Sequence, residues 1–180
     1  MKKSLLIATM LAILLATVSV LFVWYSSPKH KWQQIIAGFE ALPDPPQPQI
    51  TYGEFPFTLV YELNGEVIVL EDTKICEYDG VGVGSNGKYR KWIGRLADSG
   101  NGDVFIISDD TREVYCYIGS AGYYMNDEKY PEQRPLTPRI YYVKLNNNDR
   151  SILSQAELLE KYNVKLLSWE FTDPVENTFR

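Results

Sequence analysis

From Ser4 to Tyr25 the chain reads SLLIATMLAILLATVSVLFVWY, 22 residues without a charge. As a helix rising about 1.5 Å per residue this run is roughly 33 Å long, which matches the hydrocarbon thickness of a bilayer. It predicts a transmembrane helix, with residues 1–28 as a signal-anchor and contact with the lipid bilayer through residues 4–25. A cleaved signal peptide would have a shorter apolar core and a small-x-small exit. Here the exit is Phe22-Val23-Trp24-Tyr25, and Trp24 and Tyr25 suit the aromatic belt at a membrane interface. Lys2 and Lys3 precede the run and Lys29 and Lys31 follow it. With so short an N-terminal tail, the expectation is an inside N-terminus and an extracytoplasmic body, giving a single-pass protein of the cell membrane.

Residues 29–49 read as a stem and linker. Trp32, Ile35, Ile36, Phe39 and Leu42 fall on one helical stripe, which Pro43 ends. The run PDPPQPQ over 43–49 predicts an extended spacer of the polyproline type.

Residues 50–180 show short strand signals at regular intervals. Phe55, Phe57, Leu59, Tyr61 and Leu63 alternate, Asn64-Gly65 follows, and then EVIVL, which is a strong two-residue hairpin pattern. Further strands are predicted over 73–78, 89–96, 104–108, 112–118, 139–145 and 164–171. In the run 112–118, Val114, Cys116 and Ile118 share one face while Tyr115 and Tyr117 share the other. Ser154 and Glu157 have the spacing of a capping box ahead of Leu158, Leu159 and Tyr162, so one short helix is expected there. The fold class that follows is mainly β: an antiparallel sandwich or partly closed barrel with one short helix, preceded by an N-terminal transmembrane helix.

Composition narrows the chemistry. One histidine and two cysteines leave too few ligands for a tetrahedral zinc site, and only His30 for a nucleophile–base pair. A net charge of −5 disfavours a general nucleic-acid binder. Gly82, Gly84 and Gly87 match G-x-G-x-x-G, and Lys88 follows, but Tyr89 stands where a phosphate loop needs Ser or Thr. What comes next reads as strand rather than helix, so no nucleotide and no other cofactor is expected. Asp98–Asp103 and Asp109-Asp110 offer oxygen ligands but do not fit a calcium loop, so no metal site is assigned. Cys76 and Cys116 could form a disulfide outside the cytoplasm, worth roughly 4 kcal/mol for a loop of this length, or remain two buried free thiols.

The series Gly53–Phe57, Tyr61–Glu66, Glu71-Asp72-Thr73, Cys76–Gly80, Lys88–Trp92 and Gly119–Met125 resembles that of small membrane proteins of Gram-positive bacteria that carry no assigned function. The resemblance covers about residues 50–175. It implies a surface-facing protein of the bacterial cell envelope and names no reaction.

The segment 122–139 (GYYMNDEKYPEQRPLTPR) stands out as a long connection with three tyrosines. Exposed tyrosine beside arginine is the chemistry of contact surfaces, so Tyr123, Tyr124, Tyr130 and Arg134 are the candidate binding residues. No catalytic residue is assigned. The leading expectation is an extracytoplasmic binding domain whose partner is an envelope protein. The alternative is a carboxylate-dependent glycan hydrolase or a cell-wall glycan-binding module, drawing on the many acids of neighbouring strands, Glu62, Glu66, Glu71, Asp72, Glu77 and Asp79 among them.

Overall fold

The structure is a computed structural model that describes residues 2–26, 33, 36–127, 138–146 and 149–180. Helix α1 (Lys2–Ser26) carries the uncharged run. Its side chains are described at residue 10 and over 14–25, and among the described residues no helix is long and apolar enough to cross a membrane.

The chain divides into two compact units, residues 1–45 with 81–89, and residues 46–80 with 90–180. In the first unit residues 36–40 are helical, and Lys88 reaches Asp44 at 2.7 Å. The glycine-rich stretch lies partly in this unit. It forms the end of a hairpin between β2 (Glu66–Gly84) and β3 (Gly87–Leu96), with no helix after it to aim N–H groups at phosphate. A Cβ at Gly82 would stand 2.6 Å from the Tyr89 ring, so glycine there is a packing requirement.

The second unit is mainly β and holds two antiparallel four-stranded sheets. The first has the order β3-β2-β1-β8, with β1 (Tyr52–Leu63) and β8 (Val164–Phe171). The second has the order β4-β5-β6-β7, from Val104–Ser108, Arg112–Tyr117, Arg139–Lys144 and Asp149–Leu153. Phe57, Leu59 and Tyr61 of the first sheet share one buried cluster with Val104, Val114, Cys116 and Ile140 of the second. This arrangement is consistent with a sandwich, and the strands do not close into a barrel.

Local signals explain the elements. The β1–β2 connection is Asn64-Gly65 with φ of 54° and 87°, the double positive φ of a tight hairpin. Asp109 closes the β4–β5 turn by accepting from the Thr111 N–H at 2.9 Å and from the Arg112 N–H at 3.1 Å. Two helices accompany the sheets where one was expected: α2 (Ala121–Tyr124), capped by Ser120, and α3 (Gln155–Tyr162), capped by the Ser154–Glu157 box. The second sheet also gains β7, whose run DRSIL buries only Leu153 and so lacks alternation.

Two hydrogen-bonded ties finish the unit. Residues 47–49 run antiparallel to 178–180, with the Gln47 N–H donating to Arg180 O at 2.7 Å and the Arg180 N–H returning to Gln47 O at 2.9 Å. Asn177 adds a side-chain pair to both backbone groups of Ile50. The part of the expected spacer from Gln47 onward is therefore fixed to the body. The second tie is Asp127, whose side chain is fully buried. It accepts from Arg90 Nε at 2.7 Å, Arg90 Nη2 at 2.5 Å and Trp92 Nε1 at 2.9 Å. Arg90 also lies 4.1 Å over the Phe179 ring.

Candidate contact surface

Strand β5 sets the chemistry of the second sheet's two faces. Val114 and Cys116 are fully buried, so Tyr115 and Tyr117 project from the opposite face. Register then carries a row across all four strands: Phe105 opposes Tyr115, Tyr115 opposes Tyr141, and Tyr141 opposes Ile152. Ring centroids are 5.7 Å apart for Phe105–Tyr115 and 5.4 Å for the stacked Tyr115–Tyr141 pair. Tyr117 meets Tyr141 edge-on at 6.1 Å. Exposure rises toward the ends of the row, from 8% at Tyr115 to 37% at Phe105 and 60% at Ile152.

Arg150 of β7 lies across this row. Its guanidinium carbon is 4.1 Å from the Tyr141 centroid and 5.4 Å from that of Tyr115. Burial pushes the Tyr115 hydroxyl above its ordinary pKa, and the nearby Arg150 charge pulls it back. Exposed Arg139 pairs with Tyr117 in the next row. The surface is thus a rigid aromatic strip topped by an arginine whose rotamers are already restricted, which is the composition of energetic hot spots at protein interfaces. Arg150 covers one face of the Tyr141 ring, and that face is closed to stacking by a sugar.

The tyrosines singled out from the sequence lie elsewhere. Tyr123 and Tyr124 are buried, at 9% and 1% exposure, and so are corrected from contact residues to core. They sit on α2, where the Ser120 cap turns the chain inward. Tyr124 packs its ring at a tilt against Phe55, centroids 4.7 Å apart, and donates its hydroxyl to Ile118 O at 2.7 Å. Tyr130 and Arg134 lie outside the described residues. Cys76 and Cys116 are free thiols, not a disulfide: Cys116 packs in the large core cluster and Cys76 in the smaller one around Phe55 and Tyr124. Burial raises both, Cys76 to about 12, so neither is a ready nucleophile.

Two charged features remain. Lys74, 3% exposed, passes Gly94 and donates its amine to Gly102 O. Desolvation lowers its pKa and raises that of Asp103, while their mutual attraction opposes both shifts. None of the described pockets opens onto Lys74, and its role there is to tie β2 to the β3–β4 loop. On the first sheet an open depression of about 580 Å³ is lined by Glu71, Asp72, Asp98 and Glu170 with Phe57 and Phe171. Glu71 and Glu170 flank Thr58 from the two neighbouring strands, which sets their Cα atoms roughly 10 Å apart. Among the described residues no group of three or more His, Cys, Asp or Glu side chains could hold a metal ion.

No family model matches the chain, no curated protein is significantly similar to it, and no solved structure matches it. The surface therefore stands on its own geometry. The sequence signal for it was the Tyr115/Tyr117 alternation. The cross-strand partners Phe105, Tyr141 and Ile152 needed the register of three hairpins, and Arg150 sits on the strand that the hydrophobic pattern does not reveal.

Proposed function

We propose that this chain is a single-pass, membrane-anchored protein of the bacterial envelope whose extracytoplasmic β body binds another protein. The observation that carries the binding role is the Phe105–Tyr115–Tyr141–Ile152 row with Arg150 stacked on it. Tyrosine and arginine held rigid before contact lose little entropy on association. Anchorage is supported by the uncharged run in α1. Its described large apolar side chains, from Leu14 to Tyr25, are all more than half exposed. Thr17 and Ser19 donate their hydroxyls back to Leu14 O and Leu15 O, each at 2.8 Å, so these polar groups need no water.

The test is photocrosslinking of the full-length protein in its native membrane from a reactive residue at position 152, beside parent and Y141A/R150A chains. A discrete protein adduct that weakens in the double variant is expected. No adduct, or one unchanged by the substitutions, removes the surface from the reading.

A second reading is favoured by one observation, the Glu71–Glu170 placement across the acidic depression. Two acids facing one depression are the arrangement that glycan hydrolases use, and inverting enzymes set their carboxyl groups ~6.5–9.5 Å apart. Release of soluble sugars from cell-wall glycan by the parent, lost in both E71Q and E170Q, would move the function to hydrolysis.

A further inference from the structure

The outward face of the second sheet carries opposite charges on the two sides of its own strand β6. Glu113 of β5 opposes Val143 of β6, and Val143 opposes Arg150 of β7. In the neighbouring row Tyr115 opposes Tyr141, and Tyr141 opposes Ile152. Val114 and Cys116 are buried, so alternation puts Glu113 on the same outward face as Tyr115. The acid and the cation thus flank β6 at equal distances of about 5 Å, one on each side. The aromatic Tyr115 and the aliphatic Ile152 do the same. Among the described residues neither Glu113 nor Arg150 makes an ion pair.

A twofold axis running along β6 exchanges these two flanks. It sets Glu113 of one copy over Arg150 of the other, and Arg150 over Glu113. Tyr115 meets Ile152 twice, and Tyr141 meets its own copy on the axis. Every contact is repeated with the roles reversed, as an isologous interface requires. Sheets packed face to face lie about 10 Å apart, a gap that glutamate and arginine side chains span from the two sides. An axis along the aromatic row instead sets Glu113 over Tyr117 and brings the two Arg150 heads together near the Tyr141 pair, so charge selects the axis along β6. Arg139 then meets its copy at the rim, where a long side chain carries its charge out to water. The chosen axis also leaves the two Gln47 residues at the same end of the pair, as two chains anchored in one membrane need. Confinement there raises the effective concentration of one copy around the other.

We propose that the protein partner of this face is a second copy of the chain, docked about a twofold axis along β6. The inference rests on the protein-binding reading above and names its partner. The test uses full-length chains in their native membrane, expressed with two different tags and a photoreactive residue at position 152. The parent should give an adduct of twice the chain mass, with the link mapped to the peptide that holds Tyr115 of the other tag. E113R alone and R150E alone each set like charges against each other, and each should lose most of that adduct. Coexpressing the two variants restores both attractions in a mixed pair, so the adduct should return and join one tag to the other only. E113R/R150E in a single chain, which restores the attractions between identical copies, should dimerise as the parent does. An adduct with a different protein and none with a second copy overturns the proposal and keeps the protein-binding reading, whereas no protein adduct overturns both. A self-adduct that survives either single swap, or one that neither the mixed pair nor the double variant restores, overturns the proposal.

Discussion

Replacing Arg90 by Met tests how the second unit is held together. Asp127 is fully buried at its carboxylate and takes two charge-assisted hydrogen bonds from Arg90 and one from Trp92. Removing one partner of a buried ion pair costs about 3–5 kcal/mol. Arg90 also donates to Pro46 O at 3.3 Å and stacks on Phe179, so the tail loses support too. For a body of this size the loss corresponds to a fall in Tm of roughly 10–20 °C. Trp92→Phe removes one donor and should cost only about 1–3 kcal/mol. The double variant R90M/D127L should be no worse than R90M alone, because the penalty lies in a buried carboxylate deprived of its guanidinium. Urea titration of the full chain in micelles, followed by near-UV circular dichroism, reads each as a shift of midpoint at unchanged slope. An R90M loss below about 1 kcal/mol, or a double variant equal to the sum of its singles, would refute the assignment of Asp127 as a buried, charge-compensated tie.

Other outcomes follow from the same packing. Burial raises Cys76 to about 12 and also raises Cys116 and Tyr124, so their neutral forms belong to the fold. Their contribution is whole below the unfolded thiol pKa near 9 and is lost as pH climbs toward 12, which an alkaline series of thermal melts should show as falling Tm. Glu157 is held down at about 2 by its capping and Lys161 contacts, so its contribution is present above its ordinary pKa and is lost as pH falls through about 2, and melts of E157Q should lack that acid limb. Ser154→Ala should cost about 1 kcal/mol through the lost N-cap, measured by urea titration. Gly94→Ala would set a Cβ 2.9 Å from Lys74 Cε and 3.2 Å from Ala121 Cβ, and should destabilise by about 1–3 kcal/mol in the same assay.

The parts of the fold legible in the sequence are those governed by neighbouring residues. Asn64-Gly65 dictates its own backbone angles, and the Ser154–Glu157 box closes within one turn. Strands with one buried face, such as β1 and β5, announce themselves by period two. Strand β7 does not, because its neighbours bury only Leu153. Helix α2 is a single turn, AGYY, too short for a helical stripe, and without it Tyr123 and Tyr124 read as loop residues. Whether a tyrosine is core or surface depended there on a Ser120 cap and on Phe55, some 70 residues away. The contact surface was half legible for the same reason: alternation separates the faces of β5, but the order of strands decides which rings meet.

The antiparallel tie between residues 47–49 and 178–180 also fixes how the second unit bears load. Gln47 and Arg180 lie side by side at one end of that zipper. Tension applied between the chain upstream of Gln47 and anything held at Arg180 would peel these bonds one after another, the geometry that yields at low force. A partner gripping the face of the second sheet would instead load many interstrand bonds at once. The molecule would then be mechanically strong toward a ligand on its sheet and weak toward one on its tail, and the tail would release first, freeing residues 47–49 as added reach upstream of the sheets.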